Sequence, residues 1–416
     1  MKQITEATVY FDNAASTMVR DEAIEAMTRV MRTSYGNPSS THERGRQAKD
    51  ELNNARQSIA LALGAQPDNI YFTSGGTEAN NWAILGCADN LMRKGKHIIT
   101  SAIEHSAVID PMKKLESKGF EVTYLPPDET GRISAEAFEN ALRDDTVFAS
   151  IMLVNNETGI VNPVDEYAGV IKRRGLDTIL HTDAIQGLCK IPFTVKSLNA
   201  DLITVSSHKL HGPKGVGALY VKNGTKLAPI ILGGSHEKGI RGGTEPLPAA
   251  VGFGEATRLG NLEFDEVTAR VSELRNYVIK QLKAEISEIT FLCKNDCVDD
   301  SQNNTQDRGT VPLSSPLSSL PCEHKVEHSP YILPISLPGY MAEVLMTYLD
   351  GEGIFVSRSA ACKKGARSRT LEAMGLKNDV IDGSLRISFS RYSTHSEADY
   401  FVQMLKKASE TLFKTL

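Results

Sequence analysis

Long apolar runs are missing from this 416-residue chain. No stretch of about 18 consecutive apolar residues occurs, the length a helix needs to cross a bilayer. The opening residues MKQITEATVYFDNAAST carry no apolar core of a secretory signal. Neither a membrane location nor export is expected. Cysteine is scarce: Cys87, Cys189, Cys293, Cys297, Cys322 and Cys362 form no disulfide framework. That usage fits a reducing cytoplasm, where a free, reactive thiol persists. Basic blocks are absent too. The formal net charge is -5, with both signs scattered along the chain, which argues against nucleic-acid binding. No internal repeat is found.

What is present is a chain too long for one ordinary core, with 41% hydrophobic and 23% charged residues. Two domains and a large surface for pairing are expected. Over the first half, short β-branched runs alternate with helical patterns. Strands are predicted at 69–73, 97–100, 121–125, 146–154, 178–181, 202–205 and 215–221, with helices at 78–91 and 107–118. This alternation predicts an α/β fold with a mainly parallel sheet. After Gly260 the pattern changes to a long amphipathic helix at 265–286, strands at 331–337 and 386–389, and a closing helix at 396–416. The expected division is a large domain over 16–260 and a smaller α+β domain made of 1–15 and 261–416. Residues 294–329 are rich in Ser, Asn, Asp, Gln and Pro and poor in apolar side chains, and are expected to be a disordered insert.

Several polar clusters follow directly on predicted strands, the edge where α/β sheets bind ligands. Lys209 lies in Thr204-Val205-Ser206-Ser207-His208-Lys209-Leu210-His211-Gly212-Pro213. It is either a solvated lysine beside a turn or a Schiff-base lysine, which must attack an aldehyde as the neutral amine. Thr73-Ser74-Gly75-Gly76-Thr77-Glu78 joins a strand to a helix. It is an ordinary turn capped by Thr77 or a cradle whose backbone N–H groups face a phosphate. It lacks the Gly-Lys-Ser/Thr ending of a nucleotide-binding loop and the spacing of a dinucleotide fingerprint. Asp183, in His181-Thr182-Asp183-Ala184-Ile185-Gln186, either caps a turn or pairs with a protonated pyridine nitrogen. His105 is a hydrogen-bonded structural imidazole or one that stacks on a flat cofactor and moves protons. Val154-Asn155-Asn156-Glu157-Thr158-Gly159 puts polar side chains after an apolar strand. Cys362 stands among small residues with Arg358, Lys363 and Lys364 nearby, and cationic neighbours favour the thiolate.

Taken together, and in their order, these segments resemble the NifS/IscS-type cysteine desulfurases, pyridoxal-phosphate (PLP) enzymes of fold type I in the class V aminotransferase superfamily. The resemblance runs from about Val9 to Leu412 outside the insert. It includes Tyr10-Phe11-Asp12-Asn13-Ala14-Ala15, Tyr35-Gly36-Asn37-Pro38, Asn155-Asn156-Glu157, Ser206-x-His208-Lys209, Gly233-Gly234-x-His236-Glu237, Arg241-Gly242-Gly243-Thr244 and Arg386-Ile387-Ser388. It implies that Lys209 carries PLP, that Asp183 holds the ring nitrogen and that His105 stacks on the ring. It implies hydrogen bonds from Gln186 and Asn156 to the ring and its phenolic oxygen. Phosphate contacts would come from Gly76, Thr77, Ser206 and His208, and from Thr244 of a neighbouring subunit, hence a homodimer. Asn37 and Arg386 would hold the substrate carboxylate, and Cys362 would take the sulfur of L-cysteine and pass it to an acceptor protein in iron–sulfur assembly or tRNA thiolation.

Selenocysteine lyase, on the same framework, and a non-enzymatic PLP-fold scaffold are the alternatives. Two departures from the family pattern stand out. Lys363 and Lys364 replace the small polar residues usual after the cysteine, and the 294–329 insert is unusual. Cys293, Cys297, Cys322, His324 and His328 lie in or beside that insert, but at no standard zinc spacing, and no metal ligand is assigned.

Overall fold

A computed structural model describes residues 8–293, 327–359 and 367–414. Its centre is a seven-stranded sheet in the spatial order Ile70–Thr73, Gly217–Val221, Leu202–Ser206, Ile179–Asp183, Thr146–Ser150, His97–Ser101, Glu121–Leu125. Only Gly217–Val221 runs antiparallel to its neighbours. Four of these strands are buried at every position. Burial on both faces is why their sequences read as continuous apolar or β-branched runs rather than as alternations.

Two apolar layers enclose the sheet. One is built around Trp82, Ile84, Met112, Leu115, Phe148 and Leu219, with the helices Gly76–Leu91 and Ser106–Ser117 supplying part of it. The other gathers Ile59, Phe72, Ile99, Leu153, Ile203, Val205 and Phe253 under the helices Glu43–Leu63 and Leu247–Leu262. The helix Glu43–Leu63 starts on a side-chain cap, His42 Nδ1 accepting the Gly45 N–H at 3.2 Å, and ends at Gly64 in the left-handed conformation.

A second, antiparallel sheet has the order Ser357–Arg358, Ser384–Ser388, Ile332–Ser336, Thr290–Phe291. Its core includes Val278, Leu282, Leu333, Leu345, Ile387, Phe401 and Leu405, from the helices Phe264–Glu285, Ala342–Gly351 and His395–Thr411 and from the strands between them. The start of the chain packs here as well. Val9–Tyr10 pairs in parallel with Ile354–Phe355, and the Phe11 ring lies 5.3 Å from Phe389 and 5.8 Å from Phe401.

Two expectations need correction. The strand predicted over 146–154 ends at Ser150. Ile151 and Leu153 still donate to the neighbouring strand, to His181 O at 3.2 Å and Asp183 O at 2.9 Å, but Val154 already turns to bridge Val161. The insert expected over 294–329 does not reach residue 329. The Glu327 carbonyl accepts Val161 N–H at 2.9 Å, His328 bridges Ile160, and Ser329 N–H donates to Gly159 O at 2.8 Å. Buried Cys293, on the other side of the insert, meets the Thr158 carbonyl at 3.6 Å, and His328 Nε2 reaches the same carbonyl at 2.6 Å. Both roots of the insert therefore sit on one turn. Residues 294–326, with Cys297, Cys322 and His324, lie outside the described residues.

Candidate active site

The carboxyl ends of five strands of the large sheet lie along one edge, and polar residues follow each of them. The strand Ile70–Thr73 leads into Ser74–Thr77, and His97–Ser101 into Glu104 and His105. Thr146–Ser150 continues through a buried stretch to Asn155 and Asn156. Ile179–Asp183 ends in Asp183, and Leu202–Ser206 in Ser206 followed by Lys209.

Asp183 is buried. Its carboxylate accepts Asn80 Nδ2 at 2.6 Å and the Ile185 N–H at 3.0 Å. Burial still pushes its pKa up, against those hydrogen bonds and the nearby charges of His105 and Lys209. His105 caps the helix Ser106–Ser117, its Nδ1 accepting the Ala107 N–H at 3.1 Å, so the ring's orientation is set by the backbone. Burial pulls its pKa down; Asp183 opposes this, and Lys209 and Arg369 add to it. The imidazole is accordingly neutral near pH 7.

Lys209 closes the short turn Ser207–Lys209, and its Nζ donates to the carbonyls of Ala14 and Ala15, each at 2.7 Å. Those carbonyls are held in place from the second sheet. Asn13 Nδ2 bonds Ser388 O at 2.9 Å, and Ser388 Oγ accepts the Ala14 N–H at 2.9 Å. Gln186 Nε2 donates to the same Ala14 carbonyl at 2.9 Å. Lys209 and Gln186 thus converge on one oxygen.

The Ser206 hydroxyl is buried and has no hydrogen-bond partner among the described residues. An unpartnered buried hydroxyl on this edge is costly unless a ligand completes it. Beside it, His208 Nδ1 lies 3.3 Å from Ser16 Oγ, and burial with the charges of Lys209, Lys214 and Lys190 brings its pKa down to about 4. The turn before the helix Gly76–Leu91 needs both of its glycines. Gly75, the residue before the helix, has φ 152° and ψ 180°, a conformation open essentially to glycine alone. A Cβ on Gly76 would come within 2.1 Å of Ile185. The helix therefore begins at Gly76, not after a Thr77 cap, and leaves Thr77 exposed in its first turn.

Arg386 reaches this edge from the second sheet. It is 2% exposed, pairs with Asp12 at 2.8 Å and donates to the Asn156 carbonyl at 3.0 Å. Glu157 makes a further connection. Its carboxylate accepts Thr370 Oγ1 at 3.1 Å and Ser368 Oγ, while Arg369 donates to the Glu104 carbonyl. Glu104 itself is buried, bonded by Ser101 Oγ at 2.6 Å and the Met152 N–H at 2.8 Å, and burial pushes its carboxyl up to about 8.

Lys209, Gln186, Asp183, His105, Ser206, His208, Asn156 and Arg386 thus belong to one region. Asn37 and Thr244 are exposed, and neither shares a described hydrogen bond with that group. Cys362 lies outside the described residues. Sequence reasoning passed over Asn80, Glu104 and Lys190 and gave Glu157 no role of its own, although it stands in the Asn155-Asn156-Glu157 segment; Lys190 follows Gln186 by four residues.

A mainly parallel sheet with a polar carboxyl edge, joined to a smaller sheet that delivers an arginine, is the architecture shared with NifS-like structures of PLP fold type I. The profile of the aminotransferase class-V family matches residues 9–306, and the chain belongs to that family. Within it, the relatives carry a narrower name. Cysteine desulfurase IscS of Dictyoglomus turgidum is 39% identical over 406 residues, 97% of this chain and 95% of the relative. A solved NifS-like protein superposes with a TM-score of 0.85 at 34% identity, covering 98% of this chain and 100% of its own. The structure of SspA in complex with cysteine superposes with a TM-score of 0.74 at 32% identity, over 93% of this chain and 100% of its own.

Proposed function

We infer that this protein is a PLP-dependent cysteine desulfurase, which converts L-cysteine to L-alanine and retains the sulfur as a persulfide on Cys362. One observation carries the cofactor assignment. A buried carboxylate (Asp183), a buried hydroxyl with no partner among the described residues (Ser206) and a lysine amine (Lys209) stand on one sheet edge, beside a glycine turn at a helix start. The three groups of PLP to be matched are a basic ring nitrogen, a phosphate and an aldehyde, and these residues suit them in that order. The bound cofactor supplies an electron sink for charge developing at the substrate's α-carbon.

In this reading Lys209 would hold the cofactor, and its Nζ would take the substrate's α-proton. Asp183 would pair with the ring nitrogen, and His105 would stack on the ring. Gln186 and Asn156 would hydrogen-bond the ring and its phenolic oxygen. The Gly76 N–H, Thr77, Ser206 and His208 hold the phosphate. Arg386 and Asn37 take the substrate carboxylate, Arg386 through a two-pronged pair that must form in place of its bond to Asp12. The thiolate of Cys362 attacks the sulfur of bound cysteine. A sulfur–sulfur bond forms, the carbon–sulfur bond breaks with its electron pair left on carbon, and protonation there gives alanine.

The homodimer belongs to the same reading. The loop bearing Thr244 is braced by two ion pairs, Arg56–Glu237 at 2.8 Å and Arg241–Glu78 at 2.9 Å, while Thr244 stays at the surface. Exposed apolar side chains at Met18, Ile24, Met31, Tyr35 and Leu232, the last 82% exposed, suit a covered face better than solvent. The persulfide is then passed to an acceptor protein.

Incubation with L-cysteine and a reductant is expected to give equal amounts of alanine and sulfide. A Cys362→Ala variant that released sulfide at the wild-type rate would overturn the role given to that thiol.

A further inference from the structure

Lys190 is a buried amine for which the mechanism above has no use. The residue is 5% exposed, and its Nζ donates to Gln186 Oε1 at 3.2 Å. Its other close neighbour is aromatic: Nζ lies 5.6 Å from the centre of the Tyr331 ring. Lys190 and Lys209 line the same cavity, of about 40 Å3, together with Tyr331, Phe389 and Arg391. Burial, followed by the charges of Lys209 and Arg386, brings the Lys190 amine down to about 7. Desolvating a lysine is expensive, and an apolar side chain would fill this space at lower cost.

The bond to Gln186 gives the amine a purpose. In its ammonium form the lysine can only donate, and it then selects the oxygen end of the Gln186 amide. The NH2 end is then turned toward the sheet edge, where one hydrogen is used on Ala14 O at 2.9 Å. That leaves the second N–H of the same group for a ligand. The Ala14 carbonyl also receives Lys209 Nζ at 2.7 Å, so its share in holding Gln186 changes whenever Lys209 moves.

We propose that Lys190 is a positioning residue: through its hydrogen bond to Gln186 Oε1 it aims the Gln186 amide N–H at the cofactor's phenolic oxygen. This rests on the assignment of PLP to the sheet edge, and extends it to a residue that touches neither cofactor nor substrate.

The test uses the holoenzyme and four variants, K190M, K190R, Q186A and the double variant K190M/Q186A. Equilibrium dialysis against graded PLP gives cofactor affinity, and the absorption band of the bound cofactor reports the environment of its phenolic oxygen. K190M is expected to weaken PLP binding about tenfold, one hydrogen bond to a charged group. It should also displace the absorption band and lower kcat with little change in KM. K190R, which keeps a donor, should restore most of all three. The double variant should match Q186A alone, because both changes remove the same contact. If K190M left PLP affinity and the absorption band as in the wild type, or if its effect added to that of Q186A, Lys190 would have no positioning role. A K190M chain that did not fold would leave K190R to decide: a wild-type band and affinity support the proposal, and a lost band in a folded K190R protein overturns it. A wild-type protein that took up no PLP would overturn the cofactor assignment itself, a different result from an unchanged K190M.

Discussion

The two sheets contribute to the site in opposite ways. On the edge of the large sheet, side chains are buried with bonding capacity unfilled. Ser206 Oγ has no partner among the described residues, and Asp183 is pushed toward protonation by its surroundings. On the side of the smaller sheet most capacity is used up. Arg386 is bonded to Asp12 and to the Asn156 carbonyl, with only its Nε unpartnered among the described residues, and Ser368 and Thr370 are tied to Glu157 on the large-sheet side. The first arrangement is poised for a ligand and the second for joining segments that are far apart in the chain. A polar site can be preorganised by leaving groups unsatisfied or by fastening the walls around it, and this protein divides the two tasks between its sheets.

That division can be tested from its strongest element downward. Lys209→Ala should lower turnover by about a thousandfold or more, as loss of a proton-transferring group does. Borohydride treatment of this variant should leave no cofactor fixed to the chain, which mass spectrometry reads. Asp183→Asn removes the buried charge and should cost about a hundredfold in kcat, measured as alanine formation, because the charge developing at the substrate loses its electrostatic support. Arg386→Lys, on the other sheet, should act on binding instead. It keeps the charge but not the planar fork, and KM for cysteine should rise about tenfold with a smaller change in kcat. Should Arg386→Lys lower kcat alone, the contrast between the two sheets would fail.

The smallest effect concerns stability. Glu104 titrates at about 8 in the folded chain, above the 4.5 of an ordinary glutamate. The folded state therefore keeps a proton that the unfolded state releases between those values. The contribution is fully present below pH 4.5 and is lost as pH rises through about 8. Glu104→Gln removes this dependence while keeping an acceptor for Ser101 and Met152. Urea unfolding at pH 6 and pH 8.5 should show the wild type losing more stability than the variant, by a few kcal/mol at most. Equal losses would mean that Glu104 is ionised in the folded protein.

The α/β class was legible in the sequence because each buried strand is a short β-branched run followed by a helical pattern. Several helices escaped it, two of them for physical reasons. Leu247–Leu262 contains Gly252, Gly254 and Gly260, which lower its helical preference. Asp21–Thr33 did carry the signal, with Ala23, Ala26, Met27 and Val30 at helical spacing. Glu43–Leu63 opens with the polar run ERGRQAKDE and hides its register in small residues such as Ala48, Ala55 and Ala60. Polar residues at strand ends could likewise be read as a ligand edge, but their partners could not. Asn80 finds Asp183 across 103 positions and Glu157 finds Ser368 across 211, separations at which local pattern carries no information. The early arrest of the 146–154 strand has the same origin. The residues stay apolar and buried after Ser150, and only the tertiary turn toward Val161 ends the ladder.

One measurement bears on the central claim most directly. The holoenzyme is mixed with one equivalent of L-cysteine without reductant, and intact and peptide masses are recorded. The expected result is one added sulfur atom per chain, on the peptide holding Cys362, with one alanine released and the other cysteines unmodified. Alanine formed with the sulfur on Cys189 or Cys293, or free in solution while Cys362 stays a thiol, would contradict it.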